Sequence, residues 1–327
     1  DSVYGMAGIV LTLLTAICSF ILIPLKGVVG YVLSLILANL FTGVYSFFFS
    51  GSYKYCSPGS VNNEYCREML QYSVPLIPNG VMWWLVNALN RPIMETYVGL
   101  HGIGLFAVAN KFPGIIAMIF TIFVSSWQIS VLEEYGKDGY ASFYNKIFRG
   151  VLLILLVLLV IVTFISKWLV SFFTSSDYLD AWIYIPVLTL GIFFSCVSGL
   201  AGRTFSAVRK SRYFFYSSVY GGLSSIVFNF LLIPLWGIWG AVLSVVLSFM
   251  VMSVSRVAYS WTYVKLTHIP RLLLMLLLTC IYIVSVCLTG SANSLVAGFI
   301  TIGLLLLLNC DLLHLLKRKI IKRYIAK

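Results

Sequence analysis

Five residues between positions 79 and 91 form one polar stripe on a predicted helix. Asn79, Trp83 and Asn87 follow at spacings of four, and Asn90 and Arg91 lie three and four residues after Asn87, which places the side chains on the same helix face. Amides can bind sugar hydroxyls, an indole can cover a sugar ring, and a guanidinium can bind phosphate through two parallel hydrogen bonds. The stripe predicts either a cavity face that binds substrate or hydrogen bonds that only hold neighbouring helices together.

Lys111 is the second candidate substrate-binding cation, because it lies inside an apolar segment. At 1.5 Å per residue it is about 14 Å from the outer end of its predicted helix. Gly104, Ala107 and Gly114 share its face and leave room beside the ammonium. An unpaired ammonium at that depth costs about 3 kcal/mol or more. We therefore predict that Lys111 faces a cavity; pairing with a backbone carbonyl or snorkelling is the alternative.

Arg91 and Glu95 lie four residues apart near the outer surface. They could form an ordinary ion pair, or Arg91 could bind phosphate while Glu95 serves as the candidate ion-coupling residue. Four prolines interrupt this helix and the next one, and such breaks are common in the moving parts of transporters. They are Pro75, Pro78, Pro92 and Pro113.

The composition places these residues in a membrane protein. Hydrophobic residues make up 61% of the 327 and charged residues 10%, whereas soluble proteins carry about 25% charged residues. Too little charge is available to cover a water-exposed surface, so lipid must be the main solvent. The net charge of +12 comes mostly from short segments between apolar runs, and we therefore exclude nucleic acid as a partner.

Ten apolar runs are each long enough for a transmembrane helix, which needs about 20 residues. The runs are 3–22, 28–49, 74–98, 102–131, 148–173, 181–202, 213–235, 237–260, 270–289 and 294–315. Of the 22 lysines and arginines, 18 follow even-numbered runs or form the tail, and three follow odd-numbered runs. The positive-inside rule therefore predicts that both chain ends are cytoplasmic.

No catalytic site, metal site or cofactor is predicted. The three histidines are far apart, no phosphate-binding glycine loop occurs, and no His/Cys cluster has metal-ligand spacing. Cys56 and Cys66 share one polar loop, and the predicted topology places both in the cytoplasm as free thiols.

An internal repeat relates two segments 210 residues apart. The sequence IPLKGVVGYVLS at 23–34 reappears as IPLWGIWGAVLS at 233–244, with eight of twelve positions identical. Six predicted helices separate the copies, so they share one orientation, as in parallel transporter repeats. A lobe would then contain six helices. With the start at Asp1, this predicts four missing helices and fourteen in the whole protein.

The motifs resemble the multidrug/oligosaccharidyl-lipid/polysaccharide exporter superfamily, and within it the polysaccharide transporter branch, the O-antigen flippases of Wzx type. The similar segments are LQYSVPLIP at 70–78, GLFAVANKFP at 104–113 and the repeated IPLxGxxG element. Asn90-Arg91 stands where that family usually has Asp-Arg, which removes an acid from this position. The resemblance implies an all-α fold with residues 1–50 ending the N-terminal lobe, 51–73 as a cytoplasmic linker, 74–262 as the C-terminal lobe and 263–327 as two additional helices with a basic tail.

The resemblance also implies a function. A flippase of this kind moves an undecaprenyl-pyrophosphate-linked oligosaccharide across the bacterial inner membrane by alternating access, coupled to an ion gradient, in O-antigen and lipopolysaccharide assembly. The lipid-linked oligosaccharide and the bilayer are the expected partners, with a polysaccharide polymerase and chain-length proteins as further candidates. Two alternatives stay open: a multidrug/cation antiporter of the same superfamily, and a membrane-embedded polymerase or lipid-linked glycosyltransferase.

Overall fold

The computed structural model describes residues 2–55, 63–74, 76–267, 269–289 and 294–311, and no strand occurs among them. Seven of the described helices are long and apolar enough to cross a membrane, which confirms the predicted all-α, multi-pass membrane fold. Two short 3-10 helices cover Ser52–Tyr55 and Ser176–Ile183. The α-helices are α1 (Ser2–Phe49), α2 (Asn63–Ser73), α3 (Leu76–Ala88), α4 (Asn90–Tyr97), α5 (Gly99–Glu134), α6 (Tyr140–Phe173), α7 (Ile185–Ala207), α8 (Arg212–Trp236), α9 (Ile238–Ser260), α10 (Ile269–Thr289) and α11 (Ser294–Leu307).

The described residues fall into two compact units, divided between Glu68 and Met69. In the first unit, α1 bends sharply at Gly27, whose backbone angles are φ 56° and ψ −130°. The two arms fold back on each other, because the hydroxyl oxygens of Ser19 and Ser34 lie 2.8 Å apart. Helix α1 therefore consists of two apolar arms rather than one long span, in agreement with the separate predicted runs 3–22 and 28–49.

The second copy of the repeat bends in the same way within the second unit. Gly237, between α8 and α9, has φ 56° and ψ −124°. Three residues later, a Cβ on Gly240 would lie 2.7 Å from the backbone nitrogen of Ile233. Gly30 is equally restricted in the first unit, where a Cβ would lie 2.5 Å from the carbonyl carbon of Leu22. The two copies thus share one turn conformation and one glycine-dependent helix contact.

Helices α7, α8 and α9 form the centre of the second unit. A Cβ on Gly191 of α7 would lie 3.4 Å from the Val245 side chain, and Gly221 of α8 packs against Met252. Small residues at these crossings let the helix backbones come close together, as in other membrane proteins. Serine hydroxyls buried along α9, including Ser244 and Ser248, donate to carbonyls of their own helix.

An ion cluster attaches the additional helices to the rest of the second unit. Arg149 of α6 donates to both carboxylate oxygens of Asp311, at 2.7 and 2.6 Å, and to Asn309 Oδ1 at 2.7 Å. Arg271 donates to the same carboxylate at 3.2 and 3.3 Å. The hydrogen bonds from Arg149, followed by the positive charges of both arginines, hold the pKa of Asp311 well below its usual range. In the sequence, Arg149 is only one of the 18 cations that predict topology.

Several helix bounds differ from the predicted runs. The run 74–98 is interrupted at Leu89, because Pro92 has no N–H to donate to the carbonyl of Ala88. The run 181–202 begins in a 3-10 helix, and α7 starts only at Ile185, with Pro186 in its first turn. Helix α6 starts at Tyr140, eight residues before the run 148–173. Cys66 is an exposed free thiol, whereas Cys56 and the basic tail lie outside the described residues.

Candidate functional site

Arg256 is the centre of a buried hydrogen-bond cluster in the second unit. Its Nη2 donates to Asn79 Oδ1 at 2.8 Å and to Ser218 Oγ at 2.9 Å. Its Nε donates to Ser217 Oγ at 3.1 Å, and its Nη1 to the carbonyl of Ser198 at 3.4 Å. The side chain therefore links α9 to α3, α7 and α8. It also fixes Asn79, the first residue of the predicted polar stripe.

The burial of Arg256 corrects its interpretation as a cation following the eighth run. The residue is 6% exposed and lies inside α9. Its hydrogen-bond acceptors are all neutral oxygens, so these contacts solvate the charge without cancelling it. One signal in the sequence could have identified it: an arginine inside the apolar run 237–260 needs internal partners, as any charge at membrane depth does.

Asn90 is fully buried, and neither atom of its amide has a hydrogen-bond partner within the described part of the chain. Helices α3 and α4 run alongside α8 in the same direction, because Asn79 meets Ser218 and a Cβ on Gly237 would lie 3.8 Å from Val98. The same offset places Asn90 level with Asn229. Asn229 is also fully buried, and its Oδ1 has no described partner. Buried polar atoms without partners are rare and call for a bound water, an ion or a functional role.

Of the remaining stripe residues, Arg91 is exposed, and the side chains of two others are not described. Arg91 and Glu95 are both exposed, and no ion pair joins these two described residues. The side chains of Trp83 and Asn87 are not among those that the structure describes. The structure thus brings Asn79 to Arg256 and Asn90 to the level of Asn229. It does not bring the five stripe residues to one open face.

Lys111 is exposed on α5, and its ammonium has no hydrogen bond or ion pair with a described residue. Gly114, three residues further on, has open space where a Cβ would lie. Gly104 is covered instead, because a Cβ there would lie 2.7 Å from the Tyr178 ring. The room beside Lys111 is therefore on its Gly114 side. An exposed ammonium in that position can bind an anion without first breaking an internal contact.

The chemistry available in the described residues is that of binding, with cations and neutral amides. No group of three His, Cys, Asp or Glu side chains that could hold a metal occurs in the described ranges. Lys111, Arg203 and Arg256 lie on neighbouring helices of the second unit, and the hydrogen-bond acceptors of Arg256 are neutral. This arrangement suits an anionic cargo with hydroxyl groups.

Comparison with known proteins adds a family and a fold. A family model described as "Polysaccharide biosynthesis protein" matches residues 5–183. The capsular polysaccharide biosynthesis protein CapF of Staphylococcus aureus is 22% identical over 204 residues, which are 61% of this chain and 50% of CapF. The chain therefore spans about half the length of this curated relative.

A solved structure of the lipid II flippase MurJ, in an inward closed conformation, is also similar. Its TM-score with this chain is 0.63 at 17% sequence identity, over 93% of this chain and 67% of MurJ. At this identity the similarity shows a shared fold. The fold and the family agree with the resemblance to polysaccharide exporters, whereas O-antigen specificity stays a prediction.

Proposed function

The chain belongs to the polysaccharide biosynthesis protein family, and from this premise we propose that it acts in a flippase for a lipid-linked saccharide. The cargo we propose is an undecaprenyl-pyrophosphate-linked oligosaccharide, moved by alternating access across the cytoplasmic membrane of a bacterium, with both chain ends in the cytoplasm. The names of two similar proteins support this proposal, since CapF serves capsular polysaccharide biosynthesis and MurJ is a lipid II flippase.

The observation that carries the proposal is the exposed Lys111 ammonium. No acid lies within one helical turn of Lys111 on the apolar helix α5, and a cation kept at such depth implies an anionic ligand. A cation antiporter would need carboxylates there instead. Between residues 76 and 260 the carboxylates are Glu95, the pair at 133–134, Asp138, Asp177 and Asp180, and of these only Glu95 lies within a predicted apolar run.

Each predicted site residue has a proposed role. Lys111 and Arg91 bind the pyrophosphate, Arg91 through a bidentate contact. Asn87 and Trp83 contact the oligosaccharide. Asn79 adds a sugar contact through its amide nitrogen, because Arg256 and Ser218 occupy its oxygen.

We propose that ion coupling involves Asn90, with the exposed Glu95 as a second candidate. The Oδ1 atoms of Asn90 and Asn229 are buried, without described partners and on the same level of the second unit. Amide oxygens can bind a hard monovalent cation, and they do not titrate. An ion bound there would be sodium rather than a proton, and Asn90→Ala is expected to reduce the sodium dependence of transport.

Lys111 substitutions test the proposed function. Lys111→Gln and Lys111→Ala are expected to abolish polymer export in a strain that lacks the wild-type protein. Neither side chain carries the positive charge that binds the pyrophosphate. Lys111→Arg should retain part of the activity. Lys146→Gln, a matched change at an exposed position of α6, should export normally. Membrane levels of each variant are compared by immunoblot. Full export by Lys111→Gln at normal levels would refute the phosphate-binding role.

A further inference from the structure

The surface of α5 is divided into three faces along its length. One face is buried in the second unit and includes Val124 and Trp127. A second face carries exposed isoleucines, as expected of a helix side in contact with lipid. These are Ile115, Ile119, Ile122 and Ile129, which are between 57 and 69% exposed.

The third face of α5 is polar and lies between the other two. Starting from Lys111, its members follow at alternating spacings of three and four. They are Lys111, Gly114, Met118, Thr121, Ser125 and Gln128, of which only Met118 is apolar. The hydroxyls of Thr121 and Ser125 are exposed and donate to carbonyls of their own helix. Lipid does not favour such a face, so we expect it to border water or cargo.

Helix α7 presents its accessible line to the same region. Between residues 191 and 206 it is buried except at five positions, each three or four residues from the next: Ile192, Ser195, Gly199, Arg203 and Ser206. The two helices are neighbours, since a Cβ on Gly199 would lie 3.5 Å from the Phe120 ring and Trp127 Nε1 donates to the Leu200 carbonyl at 3.4 Å. Together the polar face of α5 and this line of α7 form a polar track.

Arg203 joins the two sides of the track at one end. Its Nη1 donates to Gln128 Oε1 at 2.7 Å. Arg256 lies next to the α7 backbone at this point. Its Nη1 would be 3.4 Å from a Cβ on Gly202, the residue before Arg203. Two guanidinium groups therefore lie close together, and the acceptors around Arg256 are neutral. This end of the track carries the positive potential that an anion needs.

The depth of Arg203 matches the level of lipid phosphates. At about 1.5 Å per residue, Gln128 lies roughly 25 Å along α5 from Lys111. A hydrocarbon core of about 30 Å takes roughly 20 residues, so a helix entering at Gly102 leaves the core near Thr121. Gln128 then lies about 10 Å further, at the headgroups on the predicted cytoplasmic side. Lys111 lies near the middle of the membrane.

We propose that Arg203 and Gln128 form a second anion-binding station, which receives the pyrophosphate of a lipid-linked cargo at the cytoplasmic headgroup level before it reaches Lys111. This inference rests on the proposed function and adds the place where the cargo is loaded. The station binds a pyrophosphate that is attached to a lipid chain, because the track lies beside the lipid-facing isoleucines of the same helix.

The test measures binding to the whole chain in phosphatidylcholine nanodiscs by isothermal titration calorimetry. The probe is geranylgeranyl pyrophosphate, with geranylgeraniol as the uncharged control. Arg203→Gln should weaken binding about tenfold or more, since a charge-assisted hydrogen bond contributes about 1.5–3 kcal/mol. Arg203→Lys should restore most of the affinity. Arg212→Gln, a matched loss of an exposed arginine at the same end of the unit, should bind as the wild type does.

The outcomes separate this inference from the proposed function. If wild type binds and Lys111→Gln weakens binding, but Arg203→Gln does not, the station is refuted and the flippase proposal stands. If wild type shows no preference for the pyrophosphate over the alcohol, both fail. Equal affinity for inorganic pyrophosphate, or equal competition by phosphatidylglycerol, would overturn loading of a lipid-linked pyrophosphate. An unchanged thermal unfolding temperature of Arg203→Gln shows that the variant is folded.

Discussion

Gly240→Ala should destabilise the second unit, because Gly240 packs directly against backbone atoms. Its added Cβ would lie 2.7 Å from the nitrogen of Ile233 and closer still to the Leu232 carbonyl, whereas real Cβ atoms essentially never come within 3.0 Å. No side-chain rotation can relieve a contact with backbone, so α8 and α9 must move apart at the turn around Gly237. Overpacking of this kind costs about 1–3 kcal/mol.

Thermal unfolding of the purified chain in detergent, followed by circular dichroism, measures the effect. Gly303→Ala is the matched control, because nothing lies within 4 Å of its Cβ position in α11. That variant should equal or slightly exceed wild type, since alanine favours a helix by roughly 0.5–1 kcal/mol over glycine. Gly30→Ala should behave like Gly240→Ala if the two copies of the repeat use the same contact. An unchanged melting temperature for Gly240→Ala would refute the proposed backbone contact.

Two further predictions concern the side that the positive-inside rule predicts to be cytoplasmic. Asp311→Asn should lower thermal stability at neutral pH, because Arg149 and Arg271 lose their shared carboxylate; a variant as stable as wild type would show that the cluster contributes nothing. The pKa of Asp311 is depressed in the folded protein, so this stabilisation is present above the unfolded pKa of about 3.9 and is lost as the pH falls below it. The difference between wild type and Asp311→Asn should therefore disappear on acidification. Cys66 should resist a membrane-impermeant thiol reagent in intact cells and react after permeabilisation, and labelling from outside would invert the predicted topology.

Sequence patterns identified the helices because membrane helices need long apolar runs, and such runs are visible without any tertiary contact. The repeat also had a direct structural counterpart. Gly27 and Gly237 share a positive φ that favours glycine, and Gly30 and Gly240 each allow a close backbone approach. These are local properties, so twelve residues are enough to encode them.

Side-chain partners were not predictable, because they depend on how each helix is rotated against its neighbours. The spacing of the stripe from Asn79 to Arg91 predicts one face, but the structure buries Asn90 and exposes Arg91, its neighbour along the chain. Arg256 was counted among cations that follow an apolar run. Its partners come from three other helices, up to 177 residues away in sequence, and no spacing rule connects them.

The arginine clusters have a consequence for any transport motion of the second unit. Arg256 links α9 to α3, α7 and α8, and Arg149 links α6 to the residues after α11. Separating these helices would leave a buried guanidinium without partners, which is strongly unfavourable in a membrane. The motion required for alternating access is therefore least costly when these helices move together, as in the rigid-body movement of transporter repeats. Helix α5 is joined to α7 by the hydrogen bonds Arg203–Gln128 and Trp127–Leu200, so within such a body the distance from Arg203 to Lys111 stays constant. In the proposed flippase, cargo would then advance along the polar track by moving between fixed cations, rather than being carried by a helix that slides.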